Sequence, residues 1–84
     1  MKQLDLHGKN RYEAKILIES FIYESYCQKE YFICVIHGYG LNIMYQTLKE
    51  ILGDKKYQQY IDYYEFAPPQ YGGSGSTIIY LKKG

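Results

Sequence analysis

The sequence predicts an α/β chain of order β-α-β-α-β-β. Three observations carry that reading: two stretches with apolar residues at helical spacing, four short apolar or alternating runs, and glycine-rich breaks between several of them. A strand, helix, strand unit implies a parallel pair joined by a right-handed crossover. With 84 residues the chain has the length of one domain, taken as residues 1–84, built as a two-layer sandwich around one core.

"KQLDL" reads as the first strand, with Leu4 and Leu6 on one face and Asp5 and His7 on the other, because successive side chains alternate. Asn10 followed by Glu13 resembles a capping box, with Asn in place of the usual Ser or Thr. Ala14, Leu17, Ile18, Phe21 and Ile22 then recur at helical spacing, which predicts a helix from about residue 11 to 27. "EYFICVI" is apolar on both faces and fits a central strand buried on both sides. From about Asn42 a second helix carries Met44, Leu48, Ile51 and Leu52 on one stripe and stops at Gly53. "GDKKYQQ" reads as a basic, polar connection, "YIDYYEF" as a strand, "APPQYGGSGS" as a loop and "TIIYL" as the last strand.

Ten basic residues against nine acidic ones leave a net charge of +1, so bulk charge makes no case for nucleic-acid binding and any such case rests on local sites. No run of about 18 apolar residues is present, which excludes a membrane-spanning helix. The opening "MKQLDLHG" lacks the apolar core of a signal peptide, so a cytoplasmic location is expected, with no membrane partner. Cys27 and Cys34 are expected as reduced, buried thiols. Twelve tyrosines without a tryptophan fit either base-stacking platforms or a compositional bias; their scatter along the chain favours the bias for most of them.

Both histidines, His7 and His37, stand directly before a glycine at the carboxyl end of a predicted strand. Parallel pairing brings those ends to one edge of the sheet, and a parallel third strand delivers "APPQYGGSG" there too. Backbone amides of Gly8, Gly38, Tyr39 and Gly40, and of Gly72, Gly73, Ser74 and Gly75, are candidates to cradle a phosphate. Two histidines with Asp5 beside one of them can act as acid and base in phosphoryl transfer, Asp5 orienting or charging His7. The plainer alternative is that the histidines cap their strands through backbone hydrogen bonds. A divalent metal held by Asp5, His7 and His37 ranks below metal-free catalysis because the three lack a ligand-spacing signature, and no cofactor is expected.

"LDLHG" near the start, "HGYG" about thirty residues later and "GGSG" entering a final apolar strand resemble the Smr (small MutS-related) domain family, over Leu4 to Leu81. The resemblance implies two helices packed on one face of a mixed four-stranded sheet, similar to the C-terminal domain of translation initiation factor three. It further implies nucleic-acid binding and endonuclease activity on RNA or DNA, linked to ribosome rescue or to DNA repair and recombination. By position it assigns the chemistry to Asp5, His7 and His37. The family's second motif often reads "HGKGTGxLR"; here Tyr39, Asn42 and Tyr45 replace its lysine, a glycine and its arginine. The expected function is therefore phosphodiester cleavage in RNA or DNA. The alternatives are a non-catalytic RNA- or ribosome-binding module, and an interaction subunit working through a tyrosine-rich face.

Overall fold

The computed structural model describes residues 1–40 and 42–83; Gly84 of the Lys-Lys-Gly tail lies outside them. The chain forms β1 (Lys2–Asp5), α1 (Arg11–Cys27), β2 (Phe32–Ile36), α2 (Ile43–Leu52), a one-turn helix α3 (Lys55–Gln58), β3 (Ile61–Phe66) and β4 (Ser76–Leu81). Two short 3-10 turns, Pro69–Tyr71 and Gly73–Gly75, shape the loop before β4. The four strands make one mixed sheet of order β1-β2-β4-β3. β1 and β2 are parallel, whereas β4 runs antiparallel to both β2 and β3.

α1 starts at Arg11 because the Asn10 side chain accepts from the amides of Tyr12 and Glu13, while the Glu13 carboxylate accepts from the Asn10 amide. Its apolar stripe places Ala14, Ile18 and Ile22 against Ile33 and Val35 of β2, Ile79 of β4, and Leu48, Ile51 and Leu52 of α2. All the helices therefore cover one face of the sheet. Each fully buried Ile or Leu in that layer contributes about 1.5–3 kcal/mol.

The opposite face is uncovered. Cys34, Ile78 and Ala67 form a small buried cluster there, flanked by Ile36 and Tyr80. Phe32, Tyr80 and Tyr63 build an aromatic ladder across β2, β4 and β3, the Tyr63 and Tyr80 rings stacking at 4.3 Å. The Tyr80 hydroxyl donates to the Glu65 carboxylate at 2.8 Å, and that bond pushes the phenol up to about 12.

Three expectations need correction. "GDKKYQQ" is not a bare connection: the Asp54 carboxylate accepts from the Lys56 amide and nucleates α3, which swings Tyr57 into the core. Cys34 is buried, and burial pushes its thiol pKa up, but Cys27 at the end of α1 is exposed. The tyrosines are less scattered in space than in sequence, since Tyr23, Tyr26 and Tyr57 gather around Tyr60 and others join the ladder.

Candidate functional site

Sheet pairing brings the ends of β1 and β2 together and hands the third loop to the same edge. The Leu6 amide donates to the Ile36 carbonyl at 3.0 Å, which extends the β1–β2 ladder to the first His-Gly turn. The amides of His37 and Gly38 both donate to the Gly75 carbonyl, at 3.0 and 2.8 Å. The second loop is thus hydrogen-bonded to the third, and the β1–β2 ladder sets the turn at 7–10 beside them, so the three make one rim.

Each His-Gly turn has a local cause. Asp5 Oδ1 accepts from the His7 amide at 2.9 Å and the Lys9 amide donates to the Leu6 carbonyl, so the chain reverses tightly after β1. The turn needs Gly8 at φ +77°, and the second His-Gly repeats the device with Gly38 at φ +79°. Asp5 and His7 are both exposed. β1 ends at Asp5, so His7 lies in the turn, and the Asp5 carboxylate meets the His7 backbone amide.

His37 is placed differently. The residue is 9% exposed, with Nε2 2.8 Å from Thr77 Oγ1 and Nδ1 3.2 Å from the Gly38 carbonyl. Tyr45 of α2 packs on it at 5.0 Å between centroids and Phe66 of β3 at 6.3 Å. A carbonyl only accepts, so Nδ1 carries a proton; in the neutral ring Nε2 then accepts from the Thr77 hydroxyl. Burial lowers the pKa of His37, an effect the weaker Gly38 contact opposes, so the neutral form is favoured. In the β1–β2 register Asp5 lies opposite Ile36, on the uncovered face, whereas the His37 ring lies beneath α2. The strands bring Asp5, His7 and His37 to one edge but aim Asp5 and His37 at opposite faces.

The expected phosphate cradle is partly spent within the protein. Gly38 donates to Gly75, Gly72 to Pro69, Gly73 to Pro68 and Gly75 to Gly72, each through its backbone amide. Gly8, Gly40 and Ser74 are the remaining glycines and serine of that expectation. The replaced positions of the second motif are all accommodated: Asn42 takes the left-handed conformation at φ +63°, which asparagine tolerates better than most residues. Tyr45 roofs His37. Tyr39 reaches across to donate its hydroxyl to the Gly72 carbonyl at 2.7 Å.

Sequence reasoning overlooked a basic groove of about 370 Å³ between α1 and α2, where Arg11 and Lys15 face Gln46 and Glu50. The signal was present: two basic residues four apart, one helical turn, directly after the first His-Gly. Among the described residues no three His, Cys, Asp or Glu side chains are grouped to hold a metal ion. No helix among them is long and apolar enough to cross a membrane.

The elements define a small two-layer α/β domain with a rim of loops at the carboxyl edge of its parallel strands. The chain belongs to the Smr domain family, whose model matches residues 4–82. It is 32% identical over 80 residues to the endonuclease MutS2 of Lactococcus lactis, and 33% identical over 81 residues to that of Aquifex aeolicus. These matches cover 95% and 96% of this chain but 10% of each relative, so the chain spans about a tenth of their length. The crystal structure of the Smr domain of Thermus thermophilus MutS2 superposes with a TM-score of 0.85 at 26% identity, covering 98% of this chain and 99% of that one. YdaL, a stand-alone small MutS-related protein from Escherichia coli, shares the fold at a TM-score of 0.85 and 24% identity, over 96% of this chain and 64% of that one.

Proposed function

We propose that this Smr domain binds RNA or DNA across the three-loop rim and cleaves a phosphodiester bond there. The observation that carries the reading is the exposed Asp5–His7 turn, held against the second and third loops by the bonds through Ile36 and Gly75. The resemblance to proteins named endonucleases supports it.

His7 is the group that meets substrate. An exposed imidazole can take a proton from an attacking ribose 2′-hydroxyl or water, or deliver one to the leaving oxygen. Asp5 fixes the His7 backbone by accepting from its amide. His37 is a positioning residue: its ring ties the second loop to Thr77 and keeps the rim in register. Lys9 follows the first turn, and Arg11 and Lys15 line the adjacent groove. These three supply the phosphate attraction that Tyr39 and Tyr45 cannot.

The test is cleavage of labelled single- and double-stranded RNA and DNA by the purified chain, with EDTA and with Mg²⁺. His7→Ala is expected to abolish cleavage while binding and folding persist, because an exposed side chain contributes little to stability. Arg11→Ala with Lys15→Ala is expected to weaken binding and flatten its salt dependence. Equal cleavage by the wild type, His7→Ala and Asp5→Asn overturns the catalytic assignment.

One observation favours a second reading, a binding module without catalysis: both His37 nitrogens and the amides of Gly38, Gly72, Gly73 and Gly75 are already engaged. Nucleic acid bound without His7-dependent cleavage supports it. Co-sedimentation with ribosomes tests whether that binding extends to the ribosome.

A further inference from the structure

Tyr39 combines two properties that seldom coincide in one side chain. It is 71% exposed, yet held by its hydroxyl and along one side of its ring. Its hydroxyl donates to the Gly72 carbonyl at 2.7 Å. The ring itself rests on Gly75: a Cβ added there would lie 2.9, 3.1 and 3.2 Å from Cε2, Cζ and Cδ2 of Tyr39. The near-equality of those distances puts that carbon above the plane of the ring rather than off its edge. One face of the ring therefore lies on the glycine, and the other is turned to solvent.

From this geometry we propose that Tyr39 is a stacking plate for an unpaired base, and that the domain selects single-stranded nucleic acid at its rim. The proposal rests on the nucleic-acid reading above and deepens it by naming the substrate class. A base in a duplex has both faces covered by its neighbours, whereas an unpaired base offers its π-face to any flat aromatic surface. A plate already fixed in orientation loses little side-chain freedom on stacking. Its position suits the role. Tyr39 stands two residues beyond His37 on the loop that Gly75 ties to the third loop, so a base on its outer face lies where the second and third loops join.

A purely structural tyrosine makes a different prediction. If Tyr39 only pins the third loop, the hydroxyl is what matters, and Tyr39→Phe should be as damaging as Tyr39→Ala. If the ring is a plate, phenylalanine keeps the stacking face and the packing on Gly75, and only alanine fails.

The experiment measures Kd by fluorescence anisotropy for a labelled single-stranded RNA, the same sequence in DNA, and their duplexes. The proteins are the wild type, Tyr39→Phe and Tyr39→Ala, with folding checked by circular dichroism. The expected result is tighter binding of single strands than duplexes by the wild type. Tyr39→Ala should lose about tenfold or more on single strands, the loss expected of one base–aromatic stack. The same change should alter duplex binding little, and Tyr39→Phe should stay within about threefold of the wild type. Because the chain has no tryptophan, Tyr39→Trp places a single indole at the rim. Its emission should be quenched by single strands and not by duplexes. Single-strand binding unchanged in Tyr39→Ala, Tyr39→Phe as weak as Tyr39→Ala, or an indole emission unmoved while anisotropy reports binding overturns the plate and leaves the nucleic-acid reading standing. No binding of any nucleic acid by the wild type at low salt overturns both.

Discussion

His37 Nε2 lies 2.8 Å from Thr77 Oγ1, a bond between two buried side chains that ties the end of β2 to β4 inside the rim. Thr77→Val keeps the shape of the side chain but removes the hydroxyl, stranding one imidazole nitrogen beneath Tyr45 and Phe66. The variant should lose about 1–3 kcal/mol, the cost of an unsatisfied buried polar group. Urea denaturation, compared at constant m-value, measures it.

The same ring makes stability depend on pH. Burial lowers the pKa of His37 in the folded chain, so between that value and the ordinary ~6.5 the unfolded chain binds more protons. The contribution is complete above the ordinary value, declines as pH falls below it, and stops declining once the lowered folded value is passed. Urea midpoints between about pH 7.5 and 5 should fall more steeply for the wild type than for His37→Gln, which lacks the titrating group. Parallel profiles for the two proteins contradict the assignment.

Asp5 separates geometry from charge. Asp5→Asn retains an oxygen that can accept from the His7 amide, so folding stability should stay within about 0.5 kcal/mol of the wild type. The carboxylate charge at the turn is gone. Cleavage should therefore fall with Asn at position 5 even though the turn is intact, and Asp5→Ala should lose the turn as well. Single-turnover cleavage beside thermal melts of both variants distinguishes the two contributions.

Ser25 offers a gain. Its side chain is fully buried on α1, and among the described residues no group meets its hydroxyl. Ser25→Ala removes an unsatisfied oxygen and inserts a better helix former, so the chain should become more stable by about 0.5–1.5 kcal/mol. A rise in the urea midpoint checks this.

The helices were legible where a local device marks them. Asn10 and Glu13 fix the start of α1, and the Met44 to Leu52 stripe and Gly53 bound α2. α3 was not, because its signal is a lone Asp54 cap and one tyrosine, and only the packing of Tyr57 against the core makes that single turn worthwhile. The meeting of the His-Gly turns followed from parallel pairing, and the Leu6–Ile36 bond agrees with it. What the spacing of His37 could not reveal is its depth. That depends on Thr77, Tyr45 and Phe66, which are remote in sequence except for Tyr45 and carry no motif. The engaged glycine amides escaped for a similar reason: "GGSG" looks the same whether its N–H groups face a phosphate or curl back onto Pro68 and Pro69.

The strand order β1-β2-β4-β3 has a temporal side. β4, the last strand in the chain, is wedged between two strands made before it, so the inner edge of β2 and the inner edge of β3 both stay unpaired until Ser76–Leu81 arrives. Gly75 and Thr77, which close the rim on His37, come with that same segment. Before Ser76–Leu81 arrives, β1 can already pair with β2 and set the Asp5–His7 turn beside the second loop, but nothing holds the second loop to the third. Closing the sheet and joining the second loop to the third become one folding event.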